Sequence, residues 1–124
     1  MAAVYAVAFD PSGAYVLVAG QEKAVRCINH ATGKIIAEYA GHGWEVLDVS
    51  VSACGNYFMS GGADRTAVLW DVATGKVIKR LAGHVSRVNA VLCMPEKTDI
   101  LLTGSFDRTV RVWDKRGSRS PVQT

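Results

Sequence analysis

Eight residues carry the side-chain types from which hydrolytic chemistry is built. His84, Thr103, Asp107 and Trp113 supply an imidazole, a hydroxyl, a carboxylate and an indole, and His42, Ser60, Asp64 and Trp70 form the same set 42 or 43 residues earlier. A hydroxyl nucleophile, a histidine base and an orienting carboxylate make a hydrolase triad, provided all three lie within hydrogen-bond reach and the hydroxyl opens to substrate. Duplication argues against that use. A reaction centre needs no second copy, and the indole adds a donor that the triad does not employ, whereas a fixed polar chain inside the fold accounts for both. No residue is therefore assigned a catalytic role, and a hydrolase is the least favoured reading.

Other candidate chemistry is sparse. His30 precedes an Ala-Thr-Gly turn without ligand-type neighbours at metal-binding spacing, so it reads as an exposed strand-end residue. Ser60-Gly61-Gly62 leads into a turn and lacks the following helix and Gly-Lys-Ser/Thr of a phosphate loop. Cys27, Cys54 and Cys93 are odd in number, far apart and without a C-x-x-C pair, which disfavours a disulfide framework and a zinc site. No metal and no cofactor are expected. A net charge of +3, with bases and acids interspersed, offers no stripe to neutralise a run of phosphates, so direct nucleic-acid binding is not expected. No stretch has the length of a membrane span and the start lacks a secretory pattern, so the expected location is cytoplasmic or nuclear.

The elements that must hold these residues are set by an internal repeat. FDPSGAYVLVAGQEKAVRCINHATGKIIAEYAGH superimposes on VSACGNYFMSGGADRTAVLWDVATGKVIKRLAGH at an offset of 42, and a third copy follows, without a fourth strand. A period near 40–45 residues marks four-stranded propeller blades. In the second unit, EVLDVSVS, YFMSGG, TAVLWD and KVIKRLA read as strands, separated by turns around Gly55, Asp64 and Gly75. Their apolar residues do not alternate cleanly with polar ones, as expected of a sheet covered on both faces. The fold class is all-β: an arc of three antiparallel blades over residues 1–40, 41–82 and 83–114, the third lacking its outer strand, then a polar basic tail over 115–124.

Gly-His at 41 and 42 with Trp-Asp at 70 and 71, and Gly-His at 83 and 84 with Trp-Asp at 113 and 114, resemble the WD-repeat family. The first unit departs from that pattern, with Glu22 at the turn-Asp position and Ile28-Asn29 in place of Trp-Asp. The resemblance implies a non-catalytic protein–protein interaction scaffold. It also implies that each set of four is a buried chain from indole to hydroxyl to imidazole to carboxylate, tying the loop before a blade's first strand to the turn after its second. Within the family, GHGWEVLDVS resembles part of a scaffold associated with kinase cascades and pre-mRNA splicing complexes.

By the same resemblance, partner-contacting side chains fall after each Gly-His and just before the turn Asp. These positions hold Tyr5 and Gln21 in the first blade, Trp44, Glu45, Leu47 and Ala63 in the second, and Arg87, Asn89 and Phe106 in the third. Arg87 and Asn89 share parity, which predicts that they project from one face beside Phe106. Trp113, Asp114 and Arg116 resemble the WD-x-Arg box through which some members serve as substrate receptors of cullin-RING ubiquitin ligases. The partners implied are other proteins, as peptide segments or complex subunits. Because such propellers have about four to eight blades, further blades or other copies are needed to close a ring. The third unit's ending favours a truncated longer propeller over self-assembly.

Overall fold

Short runs rich in β-branched and aromatic residues, punctuated by turn formers, fold into eleven strands among the described residues. The computed structural model describes residues 3–93 and 100–114. Blade 1 comprises β1 (Val4–Phe9), β2 (Tyr15–Gly20), β3 (Ala24–Asn29) and β4 (Ile35–Ala40). Blade 2 comprises β5 (Val46–Val51), β6 (Tyr57–Gly62), β7 (Thr66–Asp71) and β8 (Val77–Ala82), and blade 3 comprises β9 (Val88–Cys93), β10 (Ile100–Ser105) and β11 (Val110–Asp114). Each is an antiparallel meander in chain order, and no helix occurs among the described residues.

The blades stack face to face, and the core lies between them. Strand β6 is buried along its whole length, and β7 at Ala67 through Trp70. Because successive side chains leave a strand on opposite faces, Phe58, Val68 and Trp70 enter the cluster shared with blade 1, while Met59, Ala67 and Leu69 enter the one shared with blade 3. That division is why the sequence shows no clean alternation. The outer faces lack such cover: Val4, Val7 and Phe9 are exposed on β1, and Leu92 and Val110 on blade 3.

Turn chemistry fixes the strand ends. Gly55 and Gly75 adopt φ of 76° and 74°, where a Cβ would be strained. Arg65 and Arg108 also take positive φ, 70° and 71°, directly after the turn carboxylates Asp64 and Asp107. Strands β1, β5 and β9 each carry a bulge at one repeated position. Val4 faces Gly20 while Ala6 faces Ala19, Val46 faces Gly62 while Asp48 faces Gly61, and Val88 faces Ser105 while Ala90 faces Gly104. The extra residues are Tyr5, Leu47 and Asn89. A bulge leaves its residue outside the ladder and re-aims the side chain.

Candidate functional site

The two sets of four form continuous hydrogen-bonded chains. In blade 2, the Trp70 Nε1–H donates to Ser60 Oγ at 2.8 Å, Ser60 Oγ lies 2.6 Å from His42 Nε2, and His42 Nδ1 lies 3.1 Å from Asp64 Oδ2. The blade 3 distances are 2.9 Å from Trp113 to Thr103, 2.7 Å from Thr103 to His84 and 2.8 Å from His84 to Asp107. Since the indole can only donate and the carboxylate only accept, a neutral imidazole closes the chain with its proton on Nδ1, the hydroxyl donating to Nε2. Backbone N–H groups of Gly43 and Val85 and the side chains of Thr66 and Thr109 complete the carboxylates.

Electrostatics follow from that bonding. Burial alone would raise Asp64, but donation from His42, Gly43 and Thr66 outweighs it and lowers its pKa from 3.8 to about 2. The Thr109 hydroxyl foremost, with His84 and the Val85 and Thr109 N–H groups, holds Asp107 below the usual carboxylate range against desolvation. The arrangement cannot act as a hydrolase. Ser60 and Thr103 are 0% and 1% exposed, so neither hydroxyl can reach a substrate, and both already serve an indole and an imidazole.

Near these chains, the rim between blades 2 and 3 is concave and chemically mixed. Trp44, Glu45, Leu47 and Ala63, with Arg65 and Arg87, line a cleft of about 560 Å³. Trp44 stands exposed, while Leu47 is half-buried at its bulge. The Arg87 guanidinium lies over the Phe106 ring, 5.2 Å from its centroid, a cation–π arrangement that fixes both side chains in exposed positions. Backbone bonding seats them, since Phe106 N–H donates to Arg87 O at 3.2 Å and Ser105 Oγ donates to the same carbonyl at 2.8 Å.

Parity does not govern this rim. The buried residues of β9 are Val88, Val91 and Cys93, so the bulge at Asn89 breaks the alternation on which the shared face of Arg87 and Asn89 was predicted. Asn89 is exposed at the bulge. In blade 1, the Tyr5 hydroxyl donates to Glu45 Oε2 at 2.9 Å, a bond that raises the phenol pKa and joins the first blade to the cleft. Gln21 is exposed beside it, its Oε1 accepting the Ala3 N–H at 2.8 Å and its side chain hydrogen-bonded to Tyr5, where it opposes the rise in the phenol pKa.

The remaining candidates separate from the rim. Trp113 is wholly buried, its N–H committed to Thr103, so it offers no docking surface as part of a WD-x-Arg box, and Arg116 lies outside the described residues. His30 is exposed, edge-on to Phe9. Burial raises the Cys93 thiol to about 11 and also raises Cys27, which disfavours reactive thiolates at both. No cluster of metal-ligand type occurs among the described residues, and no helix there is long and apolar enough to cross a membrane. Sequence reasoning missed Thr66, Thr109 and Arg65. The signal was present as Asp-Arg-Thr, which occurs at 64–66 and again at 107–109.

Comparison with known proteins bears on this geometry. The model of the family described as "WD domain, G-beta repeat" matches residues 2–29, 33–71 and 75–114. An uncharacterized WD repeat-containing protein of Schizosaccharomyces pombe is 49% identical over 45 residues, 36% of this chain and 15% of that protein. WD repeat domain-containing protein 83 is 43% identical in Homo sapiens and 45% in Rattus norvegicus, each over 50 residues, 40% of this chain and 16% of the relative. The matched stretch thus spans about a sixth of these relatives' length.

Proposed function

This chain belongs to the WD domain, G-beta repeat family, and from that premise we propose that it is a non-catalytic adaptor whose cleft between blades 2 and 3 receives an acidic or aromatic segment of another protein. The observation that carries the reading is the Arg87–Phe106 pair beside the Trp44 wall. Arginine, tryptophan and other aromatics dominate interface hot spots, because they bring large contact area with little ordering cost. Here Arg87 already lies over the Phe106 ring, which lowers the cost of ordering it when a partner arrives. Arg65 adds a second cation to a lining that also carries Glu45 and Asp64, so a carboxylate-bearing ligand would be met by Arg87 and Arg65 individually rather than by a net positive cleft.

A narrower role, in kinase-cascade assembly or in a splicing complex, is supported by the likeness of GHGWEVLDVS to the amino-terminal part of the mitogen-activated protein kinase organizer, a WD-repeat scaffold. The odd number and wide spacing of Cys27, Cys54 and Cys93 support a reducing compartment, cytoplasm or nucleus.

The test is a labelled peptide library rich in Asp, Glu, Tyr and Phe, titrated against the chain by fluorescence anisotropy. Arg87→Glu with Phe106→Ala should weaken the best ligand by roughly 2 kcal/mol, about 30-fold, without loss of folded signal. Lys76→Glu with Lys79→Glu, at the outer strand of blade 2, should change affinity little. If the second pair abolishes binding and the first does not, the partner docks on the blade's side and the cleft reading fails.

A further inference from the structure

Repeat symmetry puts opposite charges at one address on neighbouring blades. Glu45 stands immediately before β5 and Arg87 immediately before β9, and the same backbone bond seats each: Ala63 N–H donates to Glu45 O at 2.9 Å, and Phe106 N–H to Arg87 O at 3.2 Å. Such a carboxylate and guanidinium would neutralise each other if they met. No ion pair joins them among the described residues, and an aromatic side chain holds each one instead. The Tyr5 hydroxyl of blade 1 donates to Glu45 Oε2, while the Phe106 ring lies beneath the Arg87 guanidinium.

The charges still open to a ligand are fewer than those that line the cleft. Asp64 already accepts from His42, Gly43 and Thr66, so its charge is answered within blade 2. Glu45 is half-buried and keeps its Oε1 without a partner among the described residues, as Arg87 and Arg65 keep their N–H donors. Next to Glu45, the Trp44 ring is 64% exposed. A carboxylate oxygen beside an indole face is a pairing that attracts an ammonium or guanidinium twice over, through the ion pair and through the ring quadrupole.

Taking the adaptor reading as its ground, we propose that this cleft selects a dipolar segment, with a lysine or arginine of the partner against Trp44 and Glu45 and an aspartate or glutamate at Arg87. Because the two addresses belong to successive blades, the segment crosses the joint between them, past Leu47 and Ala63. A uniformly acidic segment satisfies Arg87 but sets a second carboxylate against Glu45, and a uniformly basic one makes the opposite error. Selection rests on that mismatch, since like charges forced together in a cleft repel wrong partners more effectively than exposed opposite charges retain right ones.

Labelled, capped peptides provide the probe, each with a tyrosine and two charged residues at several spacings, in Lys–Glu, Glu–Glu and Lys–Lys sets. They are titrated against the full chain by fluorescence anisotropy at low ionic strength, where charges are least screened. For the wild type, the best Lys–Glu peptide should bind about tenfold tighter than the best of either uniform set. Glu45→Lys should give first place to the Glu–Glu set, and Glu45→Lys with Arg87→Glu should return it to Lys–Glu, a reversal and restoration that loss of fold cannot produce. Should either variant lose its folded signal, the wild-type ranking decides. Wild-type binding of the Glu–Glu set as tight as that of Lys–Glu, an order unmoved by Glu45→Lys, or one not restored in the folded double variant would overturn the dipolar selection and leave the adaptor reading standing. If no set binds the wild type, both fail.

Discussion

Blades 1 and 2 share strand lengths, order and register at an offset of 42 residues, yet different forces fasten them. Blade 2 ties its entry loop to its turn through four buried side chains, whereas blade 1 places Val18, Glu22 and Ile28 at the positions of Ser60, Asp64 and Trp70. There the turn carboxylate faces solvent and pairs with Arg26, which also binds Glu38 at 3.0 Å. The difference teaches that the hydrophobic strand pattern suffices to make a blade, and that the polar chain is a separate device. It fixes a loop that blade-to-blade packing does not reach.

Substitution at matched positions should expose that separation most sharply. Asp64→Ala leaves the His42 ring N–H and the Gly43 and Thr66 donors without their acceptor, and is expected to cost about 1–3 kcal/mol, read from denaturant unfolding. A loss no larger than that of Glu22→Ala would erase the distinction between the blades.

Acidification reaches the same carboxylate without mutation. Because the Asp64 pKa falls on folding, from 3.8 to about 2, its contribution is complete above 3.8 and disappears as pH drops through about 2. Exchange of the Trp70 indole proton should therefore accelerate across that window.

Trp70→Phe deletes one bond together with part of a buried ring. It removes the donor to Ser60 and keeps a ring in the aromatic cluster, where Trp70 lies stacked on Phe58 at 5.9 Å and edge-on to Tyr39 at 5.8 Å. The bond's own share of the cost is expected to be about 1 kcal/mol, below that of Asp64→Ala, because one donor is lost rather than one acceptor of several, and the space left by the smaller ring adds to it. Glu22→Ala should be the mildest, with no resolved change in melting temperature, since exposed ion pairs contribute little.

How far the fold could be read in advance depended on whether residue identity or backbone geometry carried the information. Strands, turns and the membership of both polar chains repeat as letters at fixed offsets, so His42 with Ser60 and His84 with Thr103 were visible as pairs. The bulges at Tyr5, Leu47 and Asn89 were not, because an inserted residue in a ladder leaves no compositional mark. Nor were the inter-blade bonds. Asp48 and Ser50 reach Val91 and Cys93 only once two sheets stack in one register, and the Tyr39 hydroxyl finds Val72 O, 3.0 Å away, by the same route. The Arg87–Phe106 pair stood between these cases: the two positions were legible, and their stacking was not.

The bulges have a consequence for how such a chain can change. Each releases one residue from the ladder at the same address in every blade, and the occupants here are a phenol, a branched alkyl and a carboxamide. On β5 and β9 the valines flanking that address, rather than its occupant, carry the fit to the neighbouring sheet, which leaves the occupant free to differ in chemistry. The address is therefore open to drift, and a lineage of such repeats can acquire a new binding preference by exchanging that one letter while its architecture stays inherited.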